Sequence, residues 1–388
     1  MIYATLLSTL GLFASDMYLP ALSAIQRHFH SDASHVGLSL SVYMAGFAVA
    51  QLFYGALSDQ VGRKPPLLAG LSLFLAGTAG CVLAPGIGSF LAFRLVQAIG
   101  VGAAYVLWQP MVFDLFEGDE VQKLFSVLMA VGSLSPAFAP LAGGYLTQSL
   151  GWRSVFWALA ALTLLLLAWT ALGYRESLAP GRRRAFSARE VLRQYRDFLR
   201  SRFFVGHAGA IACGIAAYFV YLTMLPLVLS GLGHPPKVIG SLYLPIVGSF
   251  VTGAEISRRR HRTLGDRGSC KLGAAFGLAG AAALLAGSAG GVTSLWQMIP
   301  PAMLLTFGNG FLVPTGTAYL IKRHADQAGA CASAAGALVA LTAFASTLLA
   351  SLAFDRLGAL AMTGTTFLFA AVMNLCLYWG APPRGAEA

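Results

Sequence analysis

The chain of 388 residues is 57% hydrophobic and only 11% charged, with a formal net charge of +11. A water-soluble protein carries roughly 25% Asp, Glu, Lys and Arg, so most of this surface must face something other than water. Composition therefore excludes an ordinary soluble fold and calls for lipid as the solvent.

A membrane helix needs about 20 mostly apolar residues, because only a continuous helix satisfies its own backbone in lipid. In chain order such windows fall at about 3–25, 36–57, 66–84, 88–112, 124–148 and 153–173. A second set follows at about 204–230, 237–257, 269–290, 295–321, 330–353 and 358–381. Residues 1–15 have no basic leader and no clear cleavage site, and their apolar pattern runs on, so they read as the first span rather than a signal peptide.

Twelve spans put both termini on one side and allow alternate loops to be compared for Lys and Arg. One set carries Arg63, Lys64, Lys123, a cluster over 175–202, a run over 258–271, Lys322, Arg323 and Arg384. The other carries only Arg27, Arg153, Lys237 and Arg356. The basic set is expected in the cytoplasm, together with both termini, and the membrane is expected to be a bacterial inner membrane. This bias also accounts for the positive net charge. The basic residues lie in short gaps between apolar segments, without aromatic platforms, so nucleic acid is not an expected partner.

The longest gap, 174–203, contains Arg182, Arg183, Arg184, Arg189, Arg193, Arg196, Arg200 and Arg202. It reads as a cytoplasmic linker with an amphipathic helix on anionic lipid. It divides the chain into six-span halves, 1–173 and 204–388. The halves echo each other weakly: 100–110 reads GVGAAYVLWQP and 308–318 reads GNGFLVPTGTA. The expected fold is an all-α membrane protein of twelve transmembrane helices in two pseudo-symmetric halves around a central cavity.

Few ionisable residues fall inside the spans. Asp16 lies about two-thirds along the first, running outward, and Arg94 lies early in the fourth, running inward. At 1.5 Å per residue both sit on the order of 10 Å from the outer edge. An unpaired charge there costs at least ~2.5–3.5 kcal/mol. The two can form a mutual ion pair that ties helices together, or a proton or cation site in a water-filled cavity. In the second case a conformational change that alters their separation would move a proton on and off Asp16. Pro20 follows Asp16 by one turn, and Pro110 is expected to end the fourth span. Gly132, Pro136, Pro140, Gly143 and Gly144 make the fifth span a candidate hinge. Candidate cavity-lining groups are Tyr18, Tyr43, Gln51, Gln97, Trp108, Gln109, Tyr218, Tyr221 and Asn309. Glu255 is expected to pair with Arg258 or Arg259.

Five cysteines are scattered with no CxxC pair, and no His or Cys has metal-ligand spacing, so neither a metal nor a cofactor is expected. The seven histidines are dispersed, which argues against a membrane enzyme, and nothing resembles a channel filter or charged ring.

The segment GALSDQVGRK at 55–64 resembles the loop signature of the major facilitator superfamily between spans 2 and 3. Gly55 permits close helix contact, Gly62 supplies a tight turn, and Asp59 can pair with Arg63 or accept a helix N-terminus. The resemblance implies a cytoplasmic latch between the halves, with Asp114, at the end of span 4, as partner. LAFRLVQAIG at 91–100 resembles the span-4 signature whose Arg is tied to proton coupling. APLAGG at 139–144 resembles the span-5 antiporter motif, with Ala139 in place of the usual Gly. DMYLPAL at 16–22, LSP at 134–136 and GWR at 151–153 resemble the Bcr/CflA drug-resistance branch, and other stretches resemble its purine nucleoside transporters. The implied activity is proton-coupled export of small amphipathic compounds by alternating access, driven by a proton gradient. The alternative is a carrier of purine nucleosides, nucleobases or a siderophore-like metabolite. The expected partners are that small molecule, protons and the bilayer, for a monomeric chain.

Overall fold

The computed structural model describes residues 2–116, 119–178, 188–292, 294–324 and 327–380, and every regular element among them is helical. Among the described residues, ten segments are long and apolar enough to cross a bilayer. One of them, Pro236–Ser288, holds two spans, because the backbone breaks from helix at Gly265 with φ +64° and ψ 179°. Separating those two and adding a 32-residue helix, Asp119–Leu150, accommodates the twelve spans expected.

The first span is interrupted. Helix α1 (Ile2–Asp16) gives way to a 3-10 turn at Leu19–Ala21, and α2 (Leu22–Phe29) continues it. Pro20 lies in that turn and has no N–H for the helical ladder. Then follow α3 (Ala33–Val61), α4 (Lys64–Leu83), α5 (Ile87–Leu115), α6 (Asp119–Leu150) and α7 (Arg153–Leu172). The expectation that Pro110 ends span 4 is corrected: α5 runs through Pro110 to Leu115. Losing one backbone hydrogen bond does not stop a helix that is packed on its neighbours.

After the gap come α8 (Ala188–Arg200), α9 (Arg202–Gly231), α10 (Pro236–Ser241), α11 (Tyr243–Ser288), α12 (Ile299–Arg323), α13 (Ala328–Leu357) and α14 (Ala359–Trp379). The basic run over 258–271, expected to be a loop, is helical except at Gly265. Arg is a good helix former, and Glu255 supports the turn by pairing with Arg258 and Arg259 three and four residues on.

The chain forms two compact units, Met1–Phe186 with Gly233–Leu244, and Ser187–Leu232 with Pro245–Ala388. The expected halves differ from these in two ways. Residues 233–244 group with the first unit, and the linker is divided, its end from Ser187 joining the second.

In the first unit, α5 packs against α1, α3 and α4. Small residues make this possible: a Cβ on Gly77 would meet the Gln97 nitrogen at 2.5 Å, and one on Gly100 would meet the Phe74 nitrogen at 2.3 Å. The short α10 lies against α6 and the 3-10 turn. In the second unit, α9 packs on α12, α13 and α14, and α8 docks through Phe198, which is buried beside Phe204, Ala208, Leu320 and Cys331. Arg193, Arg196 and Arg200 on α8 are exposed, whereas Arg182, Arg183 and Arg184 lie outside the described residues.

Candidate functional site

Two arginines of the first unit are almost completely buried, and their surroundings are opposite in kind. Arg94, fully buried on α5, has no carboxylate partner among the described residues. Its Nη1 donates to the Ala14 carbonyl at 3.2 Å and to Gln97 Oε1. Gln97 Nε2 donates in turn to Thr78 Oγ1 at 2.8 Å, and Thr78 donates to the Phe74 carbonyl at 2.7 Å. The guanidinium carbon lies 4.1 Å from the Tyr18 ring centroid and 4.4 Å from that of Tyr43. A desolvated cation gains about 2 kcal/mol from such a ring. The Tyr18 hydroxyl bonds Ser39 Oγ at 3.0 Å, and the Tyr43 hydroxyl donates to the Gly11 carbonyl at 3.1 Å. Arg94 Nε and Nη2 meet no acceptor among the described residues.

Asp16, 2% exposed at the end of α1, does not pair with Arg94. Its Oδ1 accepts a hydrogen bond from Ser15 Oγ at 2.7 Å. Helix geometry explains the separation. Ala14, whose carbonyl Arg94 touches, precedes Asp16 by two residues and so lies about 200° around the α1 axis from it, while Tyr18 lies in the turn just past the helix end. The mutual ion pair considered from sequence does not form here.

The span-5 residues meet this same end of α1. A Cβ on Gly143 would sit 1.7 Å from the Met17 carbonyl oxygen, and one on Gly144 would sit 2.5 Å from that of Pro236. The Pro140 carbonyl faces Gly240 of α10 at similarly short range. Pro136 lies one turn earlier in α6.

The second arginine, Arg63, is 6% exposed in the turn between α3 and α4. Its Nε donates to Asp114 Oδ2 at 3.0 Å, and its Nη1 donates to Asp59 Oδ1 at 2.5 Å and Ser58 Oγ at 2.7 Å. Burial alone would lower its pKa, and the hydrogen bonds to Asp114 and Asp59 outweigh that and raise it. Ser58 Oγ also donates to the Gly55 carbonyl at 2.7 Å.

Glu176 completes the cluster and was not singled out from the sequence. Its carboxylate accepts from the backbone nitrogens of Arg63 at 2.8 Å and Lys64 at 3.0 Å, capping the N-terminus of α4. The residue before α4 is Arg63, whose side chain has no acceptor to cap with, and that was the available signal. Lys64 Nζ reciprocates by donating to the carbonyls of Ala171 and Tyr174 at 3.0 and 2.8 Å, at the end of α7. Gly62 has φ +102°, and a Cβ there would lie 2.4 Å from Glu176 Oε2, so only glycine fits. Ser177 Oγ donates to Asp114 at 3.3 Å and bonds the Tyr174 hydroxyl at 2.7 Å. Burial pushes the Tyr174 phenol up to about 12, which keeps it protonated.

The remaining candidates are dispersed. Gln51 and Tyr218 are half-buried, Trp108 is buried, and Gln109 is exposed. Tyr221 and Asn309 each bond a backbone carbonyl within the second unit. Tyr221 is fully buried and donates to the Met298 carbonyl at 3.3 Å, and Asn309 Nδ2 donates to the Gly214 carbonyl at 2.9 Å. Both tie helices of the second unit to one another. Glu255 accepts from both Arg258 and Arg259 at 2.6–2.8 Å.

Residues 4–339 match the Major Facilitator Superfamily. The chain belongs to this family. It is 33% identical over 256 residues to an uncharacterized transporter of the superfamily from Bacillus subtilis, YdgK, with 64% of each chain aligned. It is 29% identical over 214 residues to the multidrug resistance protein MdtL of Escherichia coli, covering 55% of this chain and 54% of that one. These alignments thus span between about half and two-thirds of the relatives' length. The fold matches a D-xylose–proton symporter with a TM-score of 0.74 at 18% identity, covering 96% of both chains. It also matches the human organic anion transporter MFSD10 with a TM-score of 0.69 at 19% identity, covering 98% of both. Its long apolar helices are those of a multi-pass membrane protein of this superfamily.

Proposed function

We propose that this transporter is a proton-coupled exporter of small amphipathic compounds across a bacterial inner membrane, working by alternating access. Asp16 is the group that gains and loses the proton, and Arg94 tunes it. The observation that supports the reading is the separation of the two charges. A carboxylate fixed against a guanidinium stays ionised, whereas one whose partner is a hydroxyl can exchange its proton at modest cost. Asp16 has the second arrangement, and Arg94 is held nearby by neutral groups on the same helix. The charge of Arg94 therefore remains available to Asp16 when the end of α1 shifts against α5.

Export of drugs is supported by the similarity to MdtL, by the span-5 motif, and by the likeness of residues 16–22 to the Bcr/CflA branch. The test is reconstitution into liposomes with an imposed pH gradient and a panel of amphipathic drugs and purine nucleosides. Wild type is expected to accumulate a drug against its gradient. In Asp16→Asn, gradient-driven flux is expected to fall about 5–150-fold, the range of a typical coupling energy, while substrate exchange without a gradient persists. Unchanged driven flux in the variant would remove Asp16 from the mechanism. Movement of purines alone would replace the substrate class.

A further inference from the structure

The second unit repeats the α3–α4 turn with its charges inverted. Gly265 breaks α11 at φ +64° much as Gly62 ends α3 at φ +102°. Asp266 follows that glycine where Arg63 follows the first, and Arg262 precedes it by three residues where Asp59 precedes the first. Lys322 is the second-last residue of α12, as Asp114 is of α5. All three signs are reversed. In the first unit the arrangement closes through Arg63 and Asp114 at 3.0 Å. In the second, no ion pair joins Asp266 to Lys322 among the described residues, and both line a cavity of about 670 Å³ between α11 and α12.

The polar groups of this cavity are not equally free. Glu255 is shared by Arg258 and Arg259 at 2.8 and 2.6 Å, and Asp266 has His261 Nε2 at 3.8 Å. Both carboxylates thus already face basic groups. Lys322 is exposed and its ammonium has no hydrogen bond or ion pair among the described residues, and the Tyr319 hydroxyl beside it also makes no hydrogen bond there. The unused donors are therefore a cation and a phenol, which together suit an oxyanion. Above them the wall turns apolar, with Val251 and Ala254 on α11 and Pro314 and Ala318 on α12. A charged rim that grades into an apolar wall fits an anion with a hydrocarbon tail. The basic-loop bias puts this end of the helices at the cytoplasmic leaflet, where anionic phospholipids lie.

We propose that this cavity binds the phosphate of an anionic amphiphile, with Lys322 as its charged donor, Tyr319 as its neutral one, and the tail along the apolar wall. The site does not depend on the proton-coupling role of Asp16, and its test reads binding rather than transport. Purified full-length protein in neutral detergent is titrated with phosphatidylglycerol, phosphatidylcholine and inorganic phosphate, followed by native mass spectrometry and thermal unfolding. Saturable binding of phosphatidylglycerol is expected, weakened about tenfold in Lys322→Gln and less in Tyr319→Phe. Arg356→Gln, an exposed charge in the last turn of α13 and in the sparsely basic set of loops, is expected to change nothing. Lys322-dependent binding of the lipid alone assigns a lipid source, and equal Lys322-dependent binding of inorganic phosphate assigns a soluble one; both uphold a phosphate site. Binding that is the same in Lys322→Gln, or the same for phosphatidylcholine, overturns the proposal, as does no saturable binding of either anion. Lys322 is exposed, so its replacement leaves the fold intact.

Discussion

Arg63 and Arg94 are both buried in the first unit, yet Arg63 is held by two carboxylates and Arg94 by a carbonyl, an amide and two aromatic rings. The contrast separates two uses of a buried charge. Arg63 is neutralised where it stands, and removing it would leave Asp59 and Asp114 facing each other's charge. Arg94 keeps its positive potential, and removing it would leave only neutral groups behind. On the proposed mechanism the first arrangement is a structural joint, and the second is a group whose field acts on a carboxyl that changes charge.

Single substitutions sharpen or break that contrast. The largest expected effect is on transport: Arg94→Met should lower gradient-driven flux by about 5–150-fold, measured in proteoliposomes, with little change in thermal unfolding. A large loss of stability instead would place Arg94 with Arg63 as a structural charge. Next, Arg63→Met should destabilise the folded protein by about 2–3 kcal/mol, read as a lowered unfolding midpoint in detergent. The full cost of orphaning a buried pair is not expected, because the Asp59 side chain is 52% exposed and water screens it. The smallest effect is expected for Glu176→Gln, about 0.5–1 kcal/mol, since the amide oxygen still accepts one backbone hydrogen bond but the charge at the helix start is lost.

Much of this was legible in the sequence. The apolar windows, the loop signature at 55–64 and the depth of Asp16 and Arg94 follow from composition, spacing and a 1.5 Å rise. Depth, however, says nothing of azimuth. Asp16 and Arg94 stand at similar heights but do not touch, because Arg94 bonds the face that carries Ala14. Glu176 was hidden for a different reason: it sits in a predominantly basic stretch, 113 residues from the nitrogen it caps. The run over 258–271 looked like a loop because its charges dominate, although Arg propensity and the Glu255 pairs keep it helical up to Gly265. For Tyr221 and Asn309, polar character alone did not show which carbonyls they bond across helices.

The cap that Glu176 places on the backbone nitrogens of Arg63 and Lys64 has a consequence for biosynthesis. The first amides of α4 acquire their cap only when residue 176 has been made, 113 residues after residue 63. At about 5–20 residues per second that delay is roughly 6–23 s. Throughout this interval the nascent helix start must be hydrated at the membrane surface, so the turn between α3 and α4 stays loose until α7 arrives to fasten it.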